Sequence, residues 1–150
     1  MILVSACLLG VPCRMDGESK PNAGIIDLMR SHSLCPICPE IMGGMATPRI
    51  PSERIGDRVI NSEGEDNTAY FRKGAERAYA RCMQCGCTCA ILKAKSPSCG
   101  VGSIYDGHFS HTLIQGNGIL GELLLQNHFP VCTEQDNYLQ MVETFDTLCS

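Results

Sequence analysis

The chain has 150 residues, a formal net charge of −4 and ordinary apolar and charged content. That length suits one domain, 1–150, with one sizeable core, and the composition excludes disorder. The acidic balance excludes a broad nucleic-acid surface; four tyrosines, four phenylalanines and no tryptophan give no platform for stacking single-stranded bases.

The first stretch, MILVSACLLG, is apolar but has no basic leader and is too short to cross a bilayer. It reads as a buried strand over 1–7 that ends at Cys7. Residues 8–21 hold two glycines and two prolines and read as a loop. Residues 22–31 predict a helix, with Ile25, Ile26, Leu28 and Met29 toward one side and Asn22 as cap. A second short strand is expected over 34–38 despite Pro36, then a long irregular stretch marked by Gly43, Gly44, Pro48 and Pro51. The clearest helix is 62–85, where Ala69, Phe71, Ala75, Ala78, Tyr79 and Cys82 recur at helical spacing. Asp66 or Asn67 can cap it and Gly86 suits its end. Residues 87–94, CTCAILKA, predict a third strand, and SPSCG follows. Residues 102–112 read as a loop with a short hairpin, 118–127 as a helix capped by Asn117, 129–132 as a fourth strand and 137–148 as a closing helix.

Strands alternating with helices predict an α/β fold: a single domain with a mainly parallel sheet flanked by helices, Rossmann-like. Parallel crossovers are right-handed, so the strand C-termini share one edge, where open α/β sheets bind ligands. Cys7, Cys38 and Cys99 follow the first three strands and can meet there.

Cysteine is the abnormal entry in the composition, with eleven residues. An odd count without a secretion signal points to a metal, a cluster or catalysis in a reducing cytoplasm, and not to a disulfide framework. CPIC (35–38) and CMQC (82–85) have the gap of zinc motifs, but their separation exceeds that of a compact ribbon. Cys82, Cys85, Cys87 and Cys89 therefore read as packed residues, with structural zinc as the alternative. Cys13, Cys132 and Cys149 are read as lying outside any ligand set. Three thiolates at Cys7, Cys38 and Cys99, with no obvious fourth ligand, leave one coordination position free. That describes a catalytic zinc or a cubane with one available iron. Soft sulfur ligands favour either over magnesium or calcium, and spacing alone does not separate them.

Glu40, two residues after Cys38, is a candidate general base. Ser96 and Ser98 can hydrogen-bond a substrate or form the turn around Pro97. Arg14, Arg49 and Lys95 are candidates to hold an anionic substrate group, while His108 and His111 read as ordinary loop residues.

Four stretches, SACLLG, CPEIMGGMATPR, LKAKSPSCG and YDGHFS, occur in that order. They resemble the motifs of the family catalogued as domain of unknown function 523, to which thiouracil desulfidases belong. The resemblance runs from Met1 to about Glu134. It implies a cytoplasmic bacterial enzyme with a 4Fe–4S cluster on Cys7, Cys38 and Cys99 and one iron free for the substrate's sulfur. The implied reaction takes sulfur from 4-thiouracil or 4-thiouridine monophosphate hydrolytically, without redox change, and releases sulfide. Glu40 and Ser98 match the family's acid–base residues. The expected partner is a small thiolated base or nucleotide, not a nucleic acid or a membrane. Other readings are a different cluster-dependent sulfur transfer or dehydration, and a metal- or redox-sensing protein without catalysis. The stretch RCMQCGCTC falls outside the family motifs.

Overall fold

A computed structural model of the chain describes residues 1–147. In chain order, β1 (Ile2–Ser5) leads into a 3₁₀ turn (Ala6–Leu9), a loop and α1 (Ala23–Asp27), which tightens into a second 3₁₀ turn (Leu28–Arg30). Next come β2 (Leu34–Ile37), the short α2 (Pro39–Met42), β3 (Ser52–Ile55), β4 (Arg58–Asn61) and the long α3 (Thr68–Gln84). The remainder is β5 (Cys89–Leu92), β6 (Ser103–Tyr105), β7 (Leu113–Gln115), α4 (Ile119–Gln126), β8 (Val131–Thr133) and α5 (Tyr138–Phe145).

The central sheet has the order β2-β1-β5-β8 and is parallel throughout. Its strands are apolar on both faces because helices cover both. Leu3, Cys35, Ile37, Ala90 and Leu92 point to one side, against Ala75, Ala78 and Cys82 of α3 and Leu120 and Leu124 of α4. Ile2, Val4, Cys89 and Ile91 point to the other, against Ile25 and Leu28 and against Val142 of α5. The expected α/β architecture is what the chain adopts. Among the described residues no helix is long and apolar enough to cross a membrane.

Several boundaries differ from the sequence reading. The 62–85 helix begins only at Thr68, because Asp66 Oδ1 accepts from the Thr68 amide at 2.9 Å and fixes the start. Only Ile25 and Leu28 of the 22–31 stretch are buried. Asn22 does cap it, accepting from the Ile25 amide at 3.1 Å. Gly118, not Asn117, is the N-cap of α4, and Asn117 Oδ1 instead accepts from the Gly102 amide at 2.9 Å. The stretch expected to be irregular contains α2 and the β3–β4 hairpin. The expected end of the closing helix at Leu148, and the reading of Cys149, lie outside the described residues.

Two glycine contacts set α2 in place. A side chain on Gly74 of α3 would run into the Pro39 carbonyl, and one on Gly43 into the Tyr70 carbonyl. Backbone therefore meets backbone where α2 crosses α3, and Glu40 is carried on that fixed turn.

Candidate active site

The C-terminal edge of the sheet opens into a cavity of about 560 Å³. Cys7 reaches it from the 3₁₀ turn after β1, Cys38 from the N-cap of α2, and Cys99 from the turn after β5. The topology thus brings together the three cysteines singled out by the sequence. Cys13, read as standing apart from them, lines the same wall. Its carbonyl oxygen accepts from the Cys38 thiol at 3.8 Å. It lies in a loop without periodicity, and its only sequence signal is its place six residues after Cys7.

The Cys38 and Cys99 thiols are held in protonated form. Burial pushes Cys99 up to about 12. Cys38 is raised first by its hydrogen bond to Cys13 and then by burial. A soft cation that displaces these protons gains sulfur donors that water does not satisfy. Among the described residues no three His, Cys, Asp or Glu side chains stand around a common point as a finished ion site. The thiols are a donor set, not a formed coordination shell.

Beside the thiols, Ser98 Oγ donates to Glu40 Oε2 at 2.9 Å, and Ser96 Oγ lies 2.9 Å from Ser98 Oγ. A hydroxyl has one proton to give. With that of Ser98 directed at Glu40, Ser96 is the donor to Ser98, and the chain runs Ser96 to Ser98 to Glu40. Ser96 also accepts from the amides of Ser98 and Cys99, at 3.1 and 3.0 Å. One side chain therefore shapes the turn that delivers both Ser98 and Cys99. Ser98 is only 2% exposed, so this network is sheltered from competing water.

Arg49 is buried at the side-chain level and grips the other Glu40 oxygen, Nε to Oε1 at 2.9 Å. Its remaining nitrogens bond Ala46 O, Thr47 Oγ1 and Cys13 O. Four of its five N–H groups are thus committed to the protein. Arg49, expected to hold a substrate anion, spends most of its donors on Glu40, its own loop and the Cys13 carbonyl.

The other expected cations do face the cavity. Arg14 leans on Asp16 at 3.6 Å, whereas Lys95 makes no ion pair among the described residues. Lys20, in the 8–21 loop, also lines the cavity. Lys93 is instead paired with Glu134 at 3.0 Å. On the far side the β6–β7 hairpin brings Tyr105, Phe109 and His111 to the rim. Glu53 Oε1 accepts from the Gly107 and Phe109 amides, each at 3.1 Å, and so anchors that hairpin to β3. His111 thus reaches the cavity and His108 does not.

Known proteins resemble this chain over nearly its whole length. The family model described as 2-thiouracil desulfurase matches residues 2–136. The chain is 37% identical over 146 residues to YbbK of Bacillus subtilis strain 168, an uncharacterised protein; the match covers 91% of this chain and 97% of the relative. Among solved structures it is similar to a 4Fe–4S-dependent thiouracil desulfidase, TudS, with a TM-score of 0.88 and 40% identity over 95% of this chain and 96% of that one.

Proposed function

The chain belongs to the 2-thiouracil desulfurase family, and we propose that it is an iron–sulfur-dependent desulfidase of the bacterial cytoplasm. Its substrate on this reading is 4-thiouracil or the corresponding nucleotide. Substrate and water give the oxo base and hydrogen sulfide, with no net electron transfer. The observation that carries the reading is the Ser98–Glu40 hydrogen bond on the wall shared with Cys7, Cys38 and Cys99. A sensor has no need of an acid–base pair aimed into a cavity.

Cys7, Cys38 and Cys99 would hold the 4Fe–4S cluster, to which soft thiols on separate strand ends are suited. Bound there, the cluster supplies a Lewis-acidic iron that no protein residue ligates, a match for soft thiocarbonyl sulfur. The protein's own groups do the rest. Glu40 takes the proton of the water that attacks the thiocarbonyl carbon. Ser98 hands a proton to the ring nitrogen as sulfur departs and is resupplied from Ser96. Arg49 holds the carboxylate at the angle this requires. Tyr105, Phe109 and His111 offer ring surfaces to the base, and Lys20, Lys95 and Arg14 offer charge to a nucleotide phosphate.

The test is anaerobic reconstitution followed by incubation with 4-thiouracil and with its nucleotide, reading sulfide and the oxo product. Iron content in single-cysteine variants tests the ligand set. Cys7→Ser, Cys38→Ser and Cys99→Ser lose iron. Cys13→Ser keeps it, and loss of iron in Cys13→Ser instead of Cys7→Ser would reassign the first ligand.

A further inference from the structure

The β6–β7 hairpin is too small to hold its own shape. Each strand has three residues and every residue of β7 is exposed; a lone two-stranded hairpin is marginal in water. At its base Ile104 is buried and bridges Lys95. A β-carbon on Gly100 would lie 2.8 Å from Ile104 Cγ2, so this end is packed onto the turn that carries Ser98 and Cys99. The tip, residues 106–112, stands farther out. Bonds from Asp106 N to Thr112 O at 3.0 Å and from His108 N to Asp106 Oδ1 at 2.9 Å shape it but do not attach it. Among the described residues its hydrogen bonds to the rest of the protein go to one atom. Glu53 Oε1 accepts from both the Gly107 and Phe109 amides. Gly107 also passes so close to β3 that a β-carbon there would lie 2.7 Å from Ile55 Cβ.

One carboxylate oxygen taking two amides, two residues apart, is an anion seated in a backbone nest. The charge strengthens both bonds. Phe109 and His111 have φ of 54° and 58°, a left-handed conformation that residues with a β-carbon keep only where their surroundings impose it. In that conformation both line the cavity together with Tyr105. The Tyr105 and His111 rings meet edge to face, with centroids 6.3 Å apart and planes at 86°, a preferred aromatic packing. Among the described residues no other aromatic ring lines the cavity. The remaining walls carry the thiols, the Ser98–Glu40 pair and the cations.

We propose that Glu53 is a positioning residue for substrate binding: it latches the 106–112 tip so that Tyr105, Phe109 and His111 form one ring surface for a planar base. The inference rests on the reading of the cavity as a thiolated-base site and names the part of that site that selects the ring. Glu53 acts through the tip and not on the reacting atoms, because the partners of its Oε1 are backbone amides. Glu40 and Ser98 are held by Arg49 and Ser96 instead. Without the Glu53 carboxylate the tip is released from β3, while Ile104 keeps the base of the hairpin on the catalytic turn. Removing the latch therefore separates binding from chemistry. The surface reads the ring and not the phosphate, so base and nucleotide are affected alike.

The experiment uses cluster-loaded protein under anaerobic conditions. Hydrogen–deuterium exchange over residues 105–113 reads the latch, and sulfide release from 4-thiouracil and from its nucleotide gives kcat and KM. Glu53→Ala should keep its iron and exchange the tip amides ~10-fold faster or more. Its KM should rise ~10-fold for both compounds, with kcat within about threefold of wild type. Glu53→Gln retains an oxygen that accepts both amides and should stay near wild type. Tyr105→Leu should raise KM likewise, and adding it to Glu53→Ala should change little more, since both remove one surface. Equilibrium dialysis of 4-thiouracil against Glu40→Gln protein, with and without Glu53→Ala, reads binding apart from turnover. A wild type that releases no sulfide, while Glu53→Ala still weakens that binding, contradicts the desulfidase reading and upholds the latch. Unchanged exchange in Glu53→Ala, faster exchange with KM and dialysis unchanged, loss of its iron, or a KM rise confined to the nucleotide would each overturn the latch.

Discussion

Ser98 donates its hydroxyl proton to Glu40 at 2.9 Å, although 58 positions of sequence separate them. The contact joins the turn after β5 to the first turn of α2, and each partner stands next to or two residues from a cysteine of the cavity. Placement of the cluster ligands and placement of the acid–base pair are therefore one structural event. Glu40→Gln keeps the shape of the carboxylate and its bond from Arg49 but cannot take a proton. It should retain full iron and lose ~10²–10⁴-fold in turnover. Near-normal turnover in the iron-loaded variant would remove Glu40 from the chemistry.

The serines should differ in kind. Ser98→Ala removes the donor to Glu40, so turnover falls while iron and stability are kept. Ser96→Ala removes the acceptor for two amides of the turn, each bond worth about 1 kcal/mol. Its melting temperature should fall with its turnover. Sulfide release and thermal melting on the same iron-loaded samples separate the two. A Ser98→Ala protein as active as wild type would place the relay on Ser96.

Gly118 is the backbone wedge behind the same turn. A β-carbon there would lie 2.5 Å from the Ser98 carbonyl carbon and 2.8 Å from the Cys99 amide nitrogen. Gly118→Ala should therefore displace the turn, destabilise the protein by about 1–3 kcal/mol and lower both iron content and turnover. Wild-type values for both would show that the turn has slack this packing does not suggest.

Asp146 gives the molecule an acid-sensitive tie. Burial alone would raise its carboxyl, but hydrogen bonds from the Met1 amine, Thr88 and His32 outweigh it and hold it at about 2. The unfolded value is roughly 3.9. The contribution is fully present above about pH 4 and is lost as pH falls toward 2. Asp146→Asn should be less stable than wild type at neutral pH, and the gap in urea midpoint should close through that window. A gap that stays constant down to pH 2 would show that the charge is not what stabilises.

Much of this was legible in the sequence where the pattern is long or the topology strict. The strand–helix alternation placed the ends of β1, β2 and β5 at one edge, and with them Cys7, Cys38 and Cys99. Short elements were harder. The four residues of α2 give no helical period, and the β3–β4 hairpin puts Arg54 in a buried position, which breaks the apolar alternation. Arg54 is tolerated there because it bonds the Gly56 and Asn117 carbonyls and Glu122. Arg49 looked like a free cation because its partners lie 2, 3, 9 and 36 residues away. Cys13 and Lys20 sit in a loop whose path only tertiary structure fixes. The Cys82–Cys87 stretch was visible as an anomaly, but that Cys82 and Cys87 share a buried cluster with Cys35 of β2 emerges only from the packing of α3 on the sheet.

The most direct test of the central claim is product stoichiometry. Cluster-loaded protein is incubated anaerobically with 4-thiouracil and its nucleotide, with no reductant present, and sulfide and oxo base are both quantified. The account predicts one sulfide per oxo base over many turnovers, abolished in Cys99→Ser and nearly so in Glu40→Gln. A requirement for added electrons, or iron-loaded protein that releases no sulfide from either compound, would contradict it.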